Sequence, residues 1–122
     1  MLENLSVAYI HSTNATALVE WYKEKLELDI VLDVPGWTQF GVNGPTRFAI
    51  DHVEDNPSQV EAQKIMLSFE VKDLEACVET LRGRGVGFFE GDAGAIFDVG
   101  PSRVASFEDP DGNWIQLNEF KK

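Results

Sequence analysis

Few side chains in this sequence combine chemical reactivity with a position where a substrate could reach them. His11 ends the first apolar segment and shares a strand face with Val7 and Tyr9, because alternate residues of a strand point the same way. A histidine can act as a general base near neutral pH, although a hydrogen-bonded rim histidine is the simpler interpretation. Glu70 shares a face with Met66 on a later predicted strand. His11 and Glu70 are therefore the candidate catalytic residues.

Other motifs that could carry chemistry are disfavoured by their context. The run 109–113 (Asp-Pro-Asp-Gly-Asn) resembles the start of a calcium-binding loop, but its glycine is at the wrong position and the last position of the loop has no acidic residue. The glycine-rich run 83–87 follows a predicted helix instead of opening one, which argues against a phosphate site. Cys77 lies in an amphipathic segment and is predicted to be a buried, inert thiol.

The C-terminal segment predicts a tight β-hairpin with one polar and one apolar face. Asp-Pro-Asp-Gly at 109–112 has strong turn chemistry, because proline presets its φ angle and glycine adopts positive φ at little cost. The strand that follows places Trp114, Gln116 and Asn118 on one face and apolar residues on the other. Such a sheet packs on one side and is open to a ligand on the other.

Turns and hydrophobic spacing predict the order β-α-β-β-β in the first half. A strand at 5–12 precedes a helix whose apolar residues recur at helical spacing, and one of Ser12, Thr13 and Asn14 is expected to cap it. Three further strands are predicted at 30–32, 37–42 and 47–51.

The second half repeats this order. A strand at 65–71 precedes a helix capped by Asp73, and later strands are expected at 86–89, 95–99, 103–107 and 114–118. The polar stretch 52–63, including His52, is predicted to be an exposed linker. The prediction is a single α+β domain with two paired βαβββ modules, 1–55 and 64–122, in a curved, incompletely closed mixed sheet around a cavity.

Composition bounds the function. The chain has 21 acidic and 10 basic residues, a net charge of −11, so nucleic acid is an unsuitable partner because phosphate contacts require clustered Lys and Arg. No apolar run is long enough to cross a membrane, and a cytoplasmic location is expected. Tyr9, Trp37, Phe48 and Trp114 are expected to line the cavity beside carboxylates, which suits a flat or cationic organic ligand.

The chain resembles the vicinal oxygen chelate superfamily, which contains glyoxalase I, extradiol dioxygenases and the bleomycin- and fosfomycin-resistance proteins. The resemblance lies in the repeat, in the helix pattern Trp21-Tyr22-x-x-x-Leu26, and above all in the run 107–117 (Phe-Glu-Asp-Pro-Asp-Gly-Asn-Trp-Ile-Gln-Leu). It implies paired βαβββ modules, a cavity in each curved sheet and a homodimer.

In the metal-dependent members of this superfamily, His or Glu side chains hold a divalent ion. By the resemblance, the two histidine positions fall on Val7 and Met66, and the carboxylate position falls on Gln116. Valine has no donor atom, a thioether is a poor ligand for hard cations, and a neutral amide oxygen is a weak one. No metal ion or other cofactor is therefore expected.

The remaining ligand of such a site would come from the strand 47–51. Phe48 or Ile50 is expected to face the cavity there, and Asp51 is the one good ligand type at its end.

The leading hypothesis is a metal-free protein that binds a small cationic or aromatic organic molecule. The alternatives are a metal-dependent lyase, isomerase or dioxygenase with an unconventional ligand set (Asp51, Gln116 and His11), a metal-independent enzyme using His11 or Glu70 as base, and a partner or sensor domain. The predicted ligand-binding residues are Val7, Tyr9, His11, Trp37, Phe48, Met66, Ser68, Glu70, Trp114 and Gln116.

Overall fold

Each half of the chain folds into one helix and a four-stranded sheet in this computed structural model, which describes residues 1, 3, 5–53 and 66–122. The chain divides into two compact units, Met1–Lys64 and Ile65–Lys122. The first contains β1 (Val7–Ser12), α1 (Ala15–Lys25), β2 (Asp29–Val34), β3 (Trp37–Gly41) and β4 (Arg47–His52). The second contains β5 (Met66–Glu70), α2 (Leu74–Gly83), β6 (Phe97–Asp98), β7 (Ser102–Glu108) and β8 (Trp114–Phe120).

Both sheets have the same mixed topology. Their strand orders are β1-β4-β3-β2 and β5-β8-β7-β6; β1 pairs in parallel with β4, as β5 does with β8, and the other pairs are antiparallel. The predicted fold class, two βαβββ modules with mixed sheets, is confirmed. Most of the predicted polar linker at 52–63 lies outside the described residues. No helix in the described part of the chain is long and apolar enough to cross a membrane.

One face of each sheet packs against the helix of its own unit. In the first unit, Tyr22 of α1 is completely buried, with its ring centroid 4.9 Å from that of Phe48 and 6.2 Å from that of Phe40. The prediction that Phe48 or Ile50 faces the cavity is wrong. Phe48 pairs with Ala8 in the register and has only 3% of its surface exposed, because it fills the core beneath the helix.

The register shows that the two units repeat each other strand by strand. Tyr9 pairs with Ala49 in the first unit, and Ser68 pairs with Gln116 in the second. Because β1 corresponds to β5 and β4 to β8, Ala49 occupies the position in the first unit that Gln116 occupies in the second.

Two further expectations are corrected. The segment 86–89 is not a strand, since it pairs only through an isolated bridge between Phe88 and Phe107. His52 is not an exposed linker residue, because β4 extends to it and its Nε2 lies 3.0 Å from the hydroxyl of Thr38. Its backbone N–H also donates to Gly36, which fixes the end of the strand.

The C-terminal hairpin forms as predicted, around the carboxylate of Asp109. This carboxylate accepts hydrogen bonds from the backbone N–H of Asp111 and of Asn113, both at 2.9 Å, and from the side-chain amide of Asn113 at 2.7 Å. Gly112 adopts φ +84°, which glycine reaches without strain, and its N–H donates to the Asp109 carbonyl. The turn therefore fixes where β8 begins.

The start of α2 is fastened to its sheet by a charged network. Asp73 caps the helix as predicted, accepting from the N–H of Ala76, and Glu119 of β8 accepts from the N–H of Leu74 at 2.7 Å. Arg103 of β7 donates to both oxygens of Glu75, at 2.5 and 2.8 Å, and to Glu119 at 2.7 Å. The guanidinium thus links the helix to two strands. At α1, by contrast, the capping position Asn14 makes no side-chain capping bond.

We expect Arg103→Gln to flatten the acid dependence of stability. Hydrogen bonding to Arg103 lowers the pKa of Glu75 from 4.5 to about 2, and Arg103 and the Leu74 N–H also lower the pKa of Glu119. A carboxylate with a lower pKa in the folded state stabilises the fold above its unfolded pKa. That contribution is lost as the pH falls through the folded value. The native chain should therefore lose stability more steeply than the variant between about pH 4.5 and pH 2.

Urea unfolding across this pH range measures the effect. Lys72→Gln is the control, because it removes one positive charge from an exposed position beside the same helix. Equal acid dependence in the native chain and Arg103→Gln would contradict the prediction, whereas a change in both variants would indicate net charge as the cause.

Candidate ligand-binding faces

The face of each sheet opposite its helix carries the side chains that could contact a ligand or take part in a reaction. We call these the first open face and the second open face. In the first unit, β1, β4 and β3 contribute side chains in rows across the sheet. The rows are His11–Asp51–Trp37 and Tyr9–Ala49–Gln39, with Val7–Arg47 beyond them.

The first open face contains an aromatic cluster. The ring centroids of Tyr9 and Trp37 lie 5.0 Å apart with the planes tilted by 60°, and the ring of His11 meets that of Tyr9 edge-on at 5.7 Å. Ala49 lies on β4, between Tyr9 of β1 and Gln39 of β3, and has no exposed surface. The large rings therefore have a small residue beneath them. The indole N–H of Trp37 donates to Gln39 at 3.2 Å, which fixes the orientation of the ring.

A carboxylate stands beside this cluster. Oδ2 of Asp51 lies 2.9 Å from Nδ1 of His11, and both side chains are about one quarter exposed. In the register, Asp51 has His11 on one side and Trp37 on the other. The arrangement can orient the imidazole and places a negative charge beside two aromatic rings.

The second open face is built on β5 and β8. Its rows are Met66–Trp114, Ser68–Gln116 and Glu70–Asn118. The ring of Phe89 stacks on Trp114 at a centroid distance of 4.3 Å and an angle of 18°, yet both remain exposed, by 38% and 43%. Two stacked rings with so much apolar surface in water are suited to covering by a flat ligand.

A polar row separates the stacked rings from the far end of the second open face. The hydroxyl of Ser68 donates to Oε1 of Gln116 at 2.9 Å, which leaves the amide N–H₂ of Gln116 as the group that can donate to a ligand. Oδ1 of Asn118 is buried without a hydrogen-bond partner among the described residues.

The structure places nearly all of the predicted ligand-binding residues on one or other open face. Phe48 is the exception, since it lies in the core. The sequence reasoning missed Gln39, Ala49 and Phe89. Register with Tyr9 identifies the first two, but the stacking of Phe89 on Trp114 has no local sequence signal.

The positions at which metal-dependent relatives hold an ion do not fit a metal here. Val7 and Ala49 offer no donor atom, and Met66 offers only a thioether. Gln116 offers an amide oxygen that already accepts from Ser68. These four positions therefore lack the ligands that a catalytic metal ion requires.

One acidic cluster in the described part of the chain has metal-like spacing, at Asp73, Glu75 and Glu119. The guanidinium of Arg103 bonds two of the three carboxylates and supplies the positive charge there. This cluster belongs to the network that fastens α2, and it is not a cation site.

The family model described as "Glyoxalase/Bleomycin resistance protein/Dioxygenase superfamily" matches residues 8–117, nearly the whole chain. The chain belongs to this superfamily. The resemblance inferred from the run 107–117 is therefore confirmed. No curated protein sequence matches.

Several solved structures share the fold of this chain. The chain is similar to TnmS3, an antibiotic-binding protein from Streptomyces sp. CB03234, with 23% identity, a TM-score of 0.80 and 98% of each chain covered. It is also similar to a lactoylglutathione lyase from Agrobacterium tumefaciens, with 16% identity, a TM-score of 0.71 and coverage of 97% of this chain and 94% of the other. A Nocardioides superfamily protein has 19% identity and a TM-score of 0.77, with coverage of 100% and 86%. The same fold thus carries an antibiotic-binding protein and a lyase, and the site residues must decide between binding and catalysis.

Proposed function

We propose that this superfamily member binds a small, flat organic molecule by aromatic stacking and holds it without a metal ion. The observation that carries the proposal is the stacked pair Phe89 and Trp114, more than one third exposed beside Met66 and Gln116. At the positions where a catalytic relative would hold an ion, this chain has only weak ligands, the thioether of Met66 and the amide of Gln116.

The energetics favour a stacking ligand. Covering apolar surface is worth about 25 cal/mol per Å², and an offset-stacked ring pair adds about 0.5–1.5 kcal/mol. The amide of Gln116 supplies a donor for orientation, with its oxygen already engaged by Ser68. The similarity to an antibiotic-binding protein supports a small organic molecule as the ligand.

Titration against a panel of planar aromatic compounds tests the proposal. The panel should include bleomycin-type and neutral polycyclic compounds, measured by isothermal titration calorimetry and thermal shift. We expect micromolar binding of at least one planar class with one ligand per chain. Uniform absence of heat and of thermal shift would overturn the proposal.

Metal analysis of the same preparation, purified without chelator, separates the proposal from the alternative of a metal-dependent lyase, isomerase or dioxygenase. We expect far less than one equivalent of Zn, Ni, Mn or Fe per chain. Close to one equivalent would favour the enzyme, with Asp51 and His11 as its better ligand types.

A further inference from the structure

We infer that the first open face is a subsite for an organic cation, such as an alkylated ammonium group. The inference rests on the proposed ligand-binding function and deepens it. The three side chains that build the subsite are Tyr9, Trp37 and Asp51.

The two rings supply the first part of the argument. A cation over an aromatic face within about 6 Å of the centroid is attracted by the ring quadrupole. Because the centroids of Tyr9 and Trp37 are only 5.0 Å apart, a methylammonium group above their midpoint lies in range of both rings at once. Trp37 is also held in place by its bond to Gln39, so little ordering is required on binding.

The carboxylate supplies the second part. Asp51 is the direct register partner of Trp37, and about one quarter of its side chain is exposed. Its bond to His11 fixes the carboxylate beside the rings. The net charge of −11 adds a long-range attraction for cations.

The second open face lacks this combination, because its own acid, Glu70, lies two rows away from Trp114. Phe89 and Trp114 are stacked nearly parallel, so each covers one face of the other, which suits a flat ring that extends the stack. Glu108, the register partner of Trp114, is exposed to water, which screens its charge. The two open faces therefore differ in chemistry: the first suits a cationic group and the second suits a flat aromatic ring.

Tetramethylammonium and tert-butanol, a soluble neutral molecule of similar size and shape, test the inference on the full chain. We expect tetramethylammonium to bind about tenfold more tightly than tert-butanol, with the largest NMR shift at the indole N–H of Trp37. Trp37→Leu, Tyr9→Leu and Asp51→Asn should each weaken tetramethylammonium binding about fivefold or more. Equal affinity for the two probes would overturn the inference, as would the largest shift at the Trp114 indole.

Two controls keep the result interpretable. Phe120→Leu removes an aromatic residue with 57% of its surface exposed outside the subsite and should leave tetramethylammonium binding unchanged. Trp37→Phe keeps a ring in place and should retain most of the affinity even if Trp37→Leu fails to fold. If planar compounds bind and tetramethylammonium does not, the inference fails while the proposed function stands. If no compound binds, both fail.

Discussion

Asp109→Ala is expected to lower the free energy of unfolding by about 3 kcal/mol, the largest effect on stability that we predict for one substitution. Asp109 has only 4% of its surface exposed, and its carboxylate accepts three hydrogen bonds within its own turn. Alanine removes all three and leaves the N–H of Asn113 buried without its acceptor. Each lost bond to a charged group costs about 1.5–3 kcal/mol, partly offset as the loop relaxes towards water.

Urea unfolding monitored by circular dichroism gives this number directly. Glu108→Ala is the matched control, because Glu108 is the neighbouring acid and is exposed, so its loss should change stability by less than about 0.5 kcal/mol. Asp109→Asn should lie between the two, since an amide keeps one acceptor oxygen but presents N–H groups to donors. A loss below about 1 kcal/mol for Asp109→Ala would show that the turn forms without its carboxylate.

Strand alternation was enough to predict most of both open faces. From Trp114 to Asn118, exposed or half-buried residues alternate with the buried Ile115 and Leu117, so the face of each residue in this part of β8 follows from that of its neighbours. The same holds for β1 and β5, where Tyr9 and Ser68 lie between apolar residues that are buried or half-buried. In these strands the local pattern and the packed structure agree.

The strand β4 could not be assigned in this way. Phe48, Ala49 and Ile50 are three successive apolar residues, all buried, and a continuous apolar run does not indicate which face points to the core. The choice is made by the long-range pairing of β4 with β1, which places Phe48 beside Ala8. Ala49 is small enough to lie beneath the rings of the first open face, a role that no local pattern reveals.

The segment 86–89 was misassigned for a related reason. Its two phenylalanines gave it the composition of a strand, but their contacts lie on opposite sides: Phe88 meets Phe107, whereas Phe89 stacks on Trp114. Composition alone cannot distinguish a strand from an irregular segment that fills both faces of a neighbouring sheet.

Trp114→Ala is expected to weaken binding of a planar ligand by about 2 kcal/mol, close to thirtyfold, while changing stability little. The indole offers the ligand its exposed surface, and Phe89 already supports its other side, so the ring is held ready to stack. Phe89→Ala should have a smaller effect on affinity, because it removes the support and leaves the stacking surface. Titration calorimetry with the best planar compound of the panel measures both variants.

Phe120→Ala is the control for this comparison, because Phe120 is a more exposed aromatic residue on the same strand, six residues from Trp114. If the ligand bound non-specifically to exposed apolar surface, Phe120→Ala would reduce affinity as much as Trp114→Ala does. If the ligand binds at a specific stacking site, Trp114→Ala should reduce affinity and Phe120→Ala should not, because Phe89 holds the ring of Trp114 in place. Equal affinity of Trp114→Ala and the native chain would remove the second open face from the binding site, whatever the ligand.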